Sequence, residues 1–217
     1  MNEMLGKIMM LIVTAPKETY GALVDLLEKL SGQDGQEWLR RLRLFLRKQG
    51  GEEGVLRKIY TRCISGAETL TLDATDGTET IAPAGDVFTD GINGGFVRWN
   101  LDVPSQPTEE QKVSVNEMIR GGTFYNIYSD LSSSLNSLCL TQAQIINFVK
   151  KYRKYLRTEG YGTFFLFKRG EEFFVAGVYV DVYGSLGVRV YRLANGNIWY
   201  AEYQHRVVVP QLEPVAL

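Results

Sequence analysis

The stretch from Leu140 to Val209, LTQAQIINFVKKYRKYLRTEGYGTFFLFKRGEEFFVAGVYVDVYGSLGVRVYRLANGNIWYAEYQHRVVV, decides the fold class. Thr141 is placed as a helix N-cap, Gln144 three residues on completes a capping box, and Leu140 can staple onto Ile145. The helix that follows, over about 141–157, sets Ile145, Phe148, Val149, Tyr152 and Leu156 on one side and Lys150, Lys151, Lys154 and Arg157 on the other. Four apolar, β-branched or aromatic runs come next, about 161–168, 172–183, 186–193 and 197–209, parted by Gly170, Gly184 and Asn195-Gly196. The pattern predicts a helix packed on a C-terminal four-stranded antiparallel meander, in an α+β protein. In the second run Phe173, Val175 and Tyr179 alternate with Phe174, Ala176, Val178 and Val180, so both faces are apolar. One face is expected to take the Thr141 helix and the other the amino-terminal part of the chain or a second subunit.

Upstream, Pro16 to Leu30 reads as a helix with Leu23, Leu26, Leu27 and Leu30 on one stripe and Gly32 past its end. A second helix starts at Asp34, capped with Glu37, and carries Trp38, Leu42 and Phe45 until Gly50-Gly51 stops it. The two form a helical hairpin. From Val55 to Ile81 the alternation is β-like, and Asp76-Gly77 predicts a tight β-hairpin turn. Residues 82–107 are rich in Gly and Pro and read as a long acidic loop holding Phe88, Phe96 and Trp99, which are candidate interaction residues. Any domain boundary is expected at 100–112, between an N-terminal region 1–107 and a helix-plus-sheet region 108–217, and one compact unit is expected overall.

The whole chain has 217 residues, 24 Lys and Arg against 25 Asp and Glu, and one His. Apolar residues make up 45% and charged ones 23%, which excludes disordered, collagen-like and coiled-coil classes. The apolar run Ile8 to Val13 is too short to span a bilayer or to serve as a signal core, so no membrane partner is expected. Cys63 and Cys139 are far apart without CxxC spacing and predict neither zinc nor a disulfide framework; a reducing cytoplasm fits them. No metal or cofactor motif is legible: Gly91 to Gly95 is neither a Walker A nor a dinucleotide fingerprint, and Asp73 to Gly77 lacks the ligand spacing of an EF-hand.

Charge is segregated along the chain. Eight Lys or Arg stand against two Glu over 38–62, and nine acids against Arg98 alone over 68–110. Lys150, Lys151, Lys154 and Arg157, interleaved with Tyr152 and Tyr155, could follow a phosphate backbone; equally, the acidic segment could fold over them. His205 is the one side chain that titrates near neutrality when unperturbed, and can be read as a packed strand residue or as a catalyst.

Several stretches resemble a family of uncharacterised proteins from small-genome bacteria: Trp38 to Lys48, Leu72 to Gly77, Asp86-Val87-Phe88, Gly122-Thr123-Phe124, Leu138 to Gln144, Leu156 to Lys168 and His205 to Gln211. That resemblance implies an intact single-family protein and carries no activity with it. Val188 to Arg192, the Asn195-Gly196 turn and Ile198 through Arg206 also resemble the last strands of RelE-type ribonuclease toxins. This implies a sheet that holds messenger RNA, with Arg192, His205 and Arg206 near a phosphate as stabilisers or general acid. No catalytic triad spacing accompanies them. The leading reading is a non-enzymatic protein-binding or self-associating module. The alternatives are a nucleic-acid-binding protein using helix 141–157, and a metal-independent ribonuclease.

Overall fold

The computed structural model describes residues 20–32, 34–36, 38, 39, 42, 59–66 and 68–211. The chain divides into two compact units, 1–57 and 58–217. In the first, α1 (Tyr20–Ser31) is a regular helix, and Lys29 sets its ammonium 4.6 Å from the centre of the Trp38 ring. Most of the second predicted helix lies outside the described residues; Gly35, Gln36, Trp38, Leu39 and Leu42 within it are helical. Among the described residues no helix is long and apolar enough to cross a membrane.

The second unit is built on one mixed sheet. Its strands are β1 (Thr61–Cys63), β2 (Leu70–Leu72), β3 (Gly91–Ile92), β4 (Gln111–Met118), β5 (Gly162–Arg169), β6 (Glu172–Val180), β7 (Leu186–Arg192) and β8 (Arg206–Pro210). The spatial order is β1-β4-β8-β5-β6-β7-β3, with β2 also on β4. Strands β5, β6 and β7 form the predicted antiparallel hairpins, with Phe165 opposite Ala176 and Ala176 opposite Val190. The fourth predicted strand differs. Rather than joining β7, β8 lies between β4 and β5, antiparallel to the first and parallel to the second. A parallel neighbour requires the chain to return across the sheet, and residues 193–205 do this. They therefore carry only a bridge at Trp199 and a short 3-10 turn, Ala201–Tyr203.

The crossover, α3 (Phe124–Leu131) and the turn at Leu135–Leu138 cover one face of the sheet over Phe164, Leu166, Val175 and Val207. Trp199 is central to that cover, packed on Phe124 at 4.9 Å, Phe164 at 4.6 Å and Tyr191 at 5.4 Å between ring centres. The other face takes α4 (Gln142–Lys151), whose Phe148 meets Phe165 edge to face. Its Thr141–Gln144 capping box forms as predicted, although the helix ends at Lys151 and a 3-10 turn, Arg153–Tyr155, follows.

The segment after Ile81 shares this second core. Ile81, Ala84, Phe88, Phe96 and Leu101 are all buried in it, the last two around the one-turn α2 (Gly95–Arg98). Buried Gln142 ties both ends down, its Oε1 accepting from the Ile81 N–H at 3.0 Å and its Nε2 donating to the Leu101 carbonyl at 2.7 Å. The segment read as a long acidic loop is thus pinned to the core through Phe88 and Phe96.

The β-hairpin expected at Asp76-Gly77 does not form. Strand β2 pairs with β4, Leu70 opposite Val113, and Thr75 bridges to Thr108. Asp76 still makes a turn, accepting from the Thr78 N–H at 2.9 Å, but the turn is pinned on Ser105 and Gln106. Gly77 has φ +78, and a Cβ there would stand 2.4 Å from the Ser105 carbonyl oxygen and 2.6 Å from that of Gln106. We expect Gly77→Ala to lower the free energy of unfolding by roughly 2 kcal/mol or more in urea titration, because both backbone strain and the clash must be relieved.

Candidate functional site

The row Arg62, Glu117, Arg206, Thr163, Val178 and Val188 crosses the sheet from β1 to β7, each residue paired with the next. Beyond that row on one side, from β1 to β7, residues 59–61, 118–122, 157–162, 179–187 and 200–205 lie at one end of the sheet, with Asp90 and Gly91 beside Leu186 and Gly187. At this end, or beside it at the Gly122–Trp199 bridge, lie Ile59, Ile119, Val182, Tyr183, Ile198, Tyr200 and Tyr203. They are seven of the thirteen large apolar side chains exposed among the described residues, so solvent-facing apolar area is concentrated here.

Local structure holds these side chains outward. The β6–β7 turn is an Asx turn in which Asp181 accepts from the Tyr183 N–H at 2.9 Å and the Ser185 N–H at 2.7 Å, and Gly184 takes φ +83. Arg153 adds a hydrogen bond to the Gly184 carbonyl. Val182 and Tyr183 occupy the middle of this fixed turn at 84% and 89% exposure. Tyr203 stacks on Tyr161 with centres 4.9 Å apart and planes 12° from parallel. The Arg157 guanidinium lies 5.2 Å from the Tyr161 ring centre, and its Nε donates to the Tyr203 carbonyl at 3.1 Å.

His205 stands behind this surface, 4% exposed, against Tyr161, Phe164, Trp199 and Tyr203. Its Nδ1 accepts from the Gly162 N–H at 3.0 Å, which requires that nitrogen to be unprotonated. Burial, together with the Arg157 charge, holds its pKa down to about 4. Arg206 donates to the Leu156 carbonyl at 3.2 Å, and burial lowers its pKa. Arg192 pairs instead with Glu172 at 2.9 Å. Its register partner on β6 is Phe174, whereas the row of Arg206 runs through Val178 and Val188, so Arg192 lies toward the opposite end of the sheet. The three residues singled out by the toxin resemblance do not share a site.

The cations of the α4 region are engaged within the molecule. Lys150 pairs with Glu79 at 2.7 Å, Lys151 with Asp73, and Lys154 with Glu68 at 3.0 Å. Glu68 also receives the Tyr155 hydroxyl, and Asp73 receives the Asn147 amide. The Tyr155 hydroxyl, then Lys154, hold the Glu68 carboxyl below its usual range; Lys151, then Asn147, do so for Asp73. Arg157 has Glu159 at 3.6 Å.

Of the aromatics singled out as interaction residues, Phe88 and Phe96 are buried at 2% and 0% and present no surface to a partner. Trp99 reaches solvent, with the Arg192 guanidinium 5.4 Å from its ring centre. Burial pushes the Cys139 thiol up to about 11, which makes it a poor nucleophile. Among the described residues no cluster of three His, Cys, Asp or Glu is arranged to hold a metal.

Sequence reasoning missed the end-of-sheet surface. Its one legible signal was Asp181-Val182-Tyr183-Gly184, where Asp and Gly take the outer positions of a turn and two large apolar residues occupy the middle.

The His205 geometry sets a pH dependence. An unfolded histidine takes up its proton below about 6.5, and the folded one only below about 4. The contribution is therefore fully present above about pH 6.5 and is lost as the pH falls to about 4. Chemical denaturation of the wild type should show that slope, and His205→Gln should remove it while lowering stability at neutral pH. Set against known proteins, the chain matches no family model, no curated protein and no solved structure.

Proposed function

We propose that the protein is a non-enzymatic binding module that holds a polypeptide partner on the end of the sheet formed by residues 59–61, 118–122, 157–162, 179–187 and 200–205. The observation that carries this reading is the exposure of Val182 and Tyr183 on a hydrogen-bonded turn at the same end of the sheet as the Tyr161–Tyr203 stack. Apolar side chains on mobile loops are common on protein surfaces. Here the backbone that carries them is held by side-chain-to-backbone hydrogen bonds, so little backbone entropy is lost when a partner covers them. Tyrosine and arginine with aliphatic neighbours is also the composition of protein-binding hot spots.

Two other readings have less to rest on. Binding of nucleic acid along the α4 region would require breaking the Lys150, Lys151 and Lys154 ion pairs before phosphate could replace them. A ribonuclease using Arg192, His205 and Arg206 would need groups that lie apart in the sheet.

The test is cross-linking and co-purification of the tagged chain from its own cells, comparing wild type with an Ile119→Asp/Tyr183→Asp double variant. Both positions are exposed, so the melting temperature should move by no more than a few degrees. We expect the variant to lose its cross-linked protein, while Lys150→Glu/Lys151→Glu retains it. Equal recovery with wild type and Ile119→Asp/Tyr183→Asp would reject the assignment of the surface.

A further inference from the structure

We propose that Asn195 is a self-modification site: its side chain closes into a cyclic imide with Gly196, water opens the imide to aspartate and isoaspartate, and the fold withholds the same reaction from the chain's other Asn-Gly pair, Asn93-Gly94. The chemistry needs only the chain and water. The Gly196 nitrogen gives up its proton and attacks Asn195 Cγ, forming a C–N bond; the Cγ–Nδ2 bond breaks and the side-chain nitrogen leaves as ammonia. Water then adds to one of the two ring carbonyls and breaks its bond to the shared nitrogen. Opening at the main-chain carbonyl gives isoaspartate, whose backbone is one atom longer; opening at Cγ gives aspartate.

Glycine permits the approach because it has no Cβ to hold its nitrogen away. Both pairs also share a local turn. Asn195 Oδ1 accepts from the Asn197 N–H at 3.0 Å, and Asn93 Oδ1 accepts from the Gly95 N–H at 2.8 Å. Such a turn folds the side chain over the intervening nitrogen. The donated hydrogen bond also stabilises the oxygen that takes up negative charge as the nitrogen adds to Cγ.

What separates the two pairs is freedom to close the ring. Closure turns the asparagine about its Cα–C bond and so swings its main-chain carbonyl. At Asn93 that carbonyl accepts from the Phe96 N–H at 3.1 Å, and the Asn93 N–H donates to the Val188 carbonyl at 2.9 Å. Gly95 is packed so closely that a Cβ on it would stand 2.8 Å from Val190 Cγ1. A ring at Asn93 would undo the start of α2 and its hold on β7. At Asn195 the N–H donates to the Arg192 carbonyl at 3.0 Å, but among the described residues neither the Asn195 carbonyl nor the Gly196 N–H meets a hydrogen-bond partner. Gly196, Asn197 and Ile198 are exposed and irregular, and the chain is next held at the Trp199–Gly122 bridge. The site stands at the entry to the crossover, where each conversion adds a carboxylate and each isoaspartate an extra main-chain atom ahead of β8.

The experiment incubates the full-length chain at neutral and mildly alkaline pH, with and without urea, and digests samples over several weeks. Mass spectrometry reads the replacement of –NH2 by –OH at each position, and enzymatic methylation with labelled S-adenosylmethionine counts isoaspartate. In the folded chain Asn195 should convert about tenfold or more faster than Asn93, and the two rates should come together in urea. A Cβ on Gly196 would meet nothing within 4 Å, so Gly196→Ala should keep its circular dichroism and melting temperature. It should slow conversion of Asn195 by about tenfold or more. Equal rates at the two positions in the folded chain, or a faster Asn93, would overturn the directing role of the fold. An Asn195 that converts only in urea would overturn the site. Conversion without isoaspartate, or at an undiminished rate in Gly196→Ala, would overturn the imide route.

Discussion

The packing of Trp199 between Phe124, Phe164, Tyr191 and His205 is the constraint on which the second unit depends. Those five side chains come from α3, β5, β7 and the chain just before β8. One indole therefore fixes the crossover against the sheet, and the crossover delivers β8 to its place beside β5. Among the described residues its buried Nε1 has no hydrogen-bond partner, a cost of roughly 1–3 kcal/mol that the surrounding ring contacts must outweigh. Were the crossover to lift, β4 and β5 would lose their common neighbour and His205 would lose the enclosure that keeps it neutral.

Local chemistry was legible in the sequence and distant pairing was not. The Thr141–Gln144 capping box and the β5–β6–β7 hairpins depend on residues near one another in the chain, and they stand where the pattern places them. The position of β8 depends on contacts with β4, about ninety residues earlier, which no short-range periodicity can encode. Strand β4 was missed although Val113 and Val115 alternate with Ser114 and Asn116, the period of a half-buried strand. Helix α3 was missed although Thr123 and Asn126 form its capping box. Asp76-Gly77 misled in the opposite sense: the dipeptide makes a turn in either case, and only the β4 ladder decides that no local hairpin follows.

The candidate surface was less legible than the fold because exposure is a property of the assembled chain. Phe88, Phe96 and Trp99 look alike as aromatics among glycines and acids, yet the first two are core and the third is at the surface. Charge behaved similarly. The acidic run and the basic helix, distant in sequence, meet at Glu68–Lys154, Asp73–Lys151 and Glu79–Lys150. The exposed pairs contribute little to stability individually. Their effect is to neutralise the basic field that the helix would otherwise project.

The strand order also has a consequence for how the chain is made. On one side of β8 lie β1, β2 and β4; on the other lie β5, β6, β7 and β3. Each set can pair within itself as it is synthesised, but the two are joined only by Arg206–Pro210, the last strand described. Until those residues leave the ribosome, β4, with Val113 and Val115, and β5, with Phe164, Phe165 and Phe167, each present an open edge, the kind of edge that recruits strands from other chains. A nascent chain of this protein thus keeps both edges open from the emergence of β5 until β8 has left the ribosome, which makes that interval the point at which a chaperone would matter most.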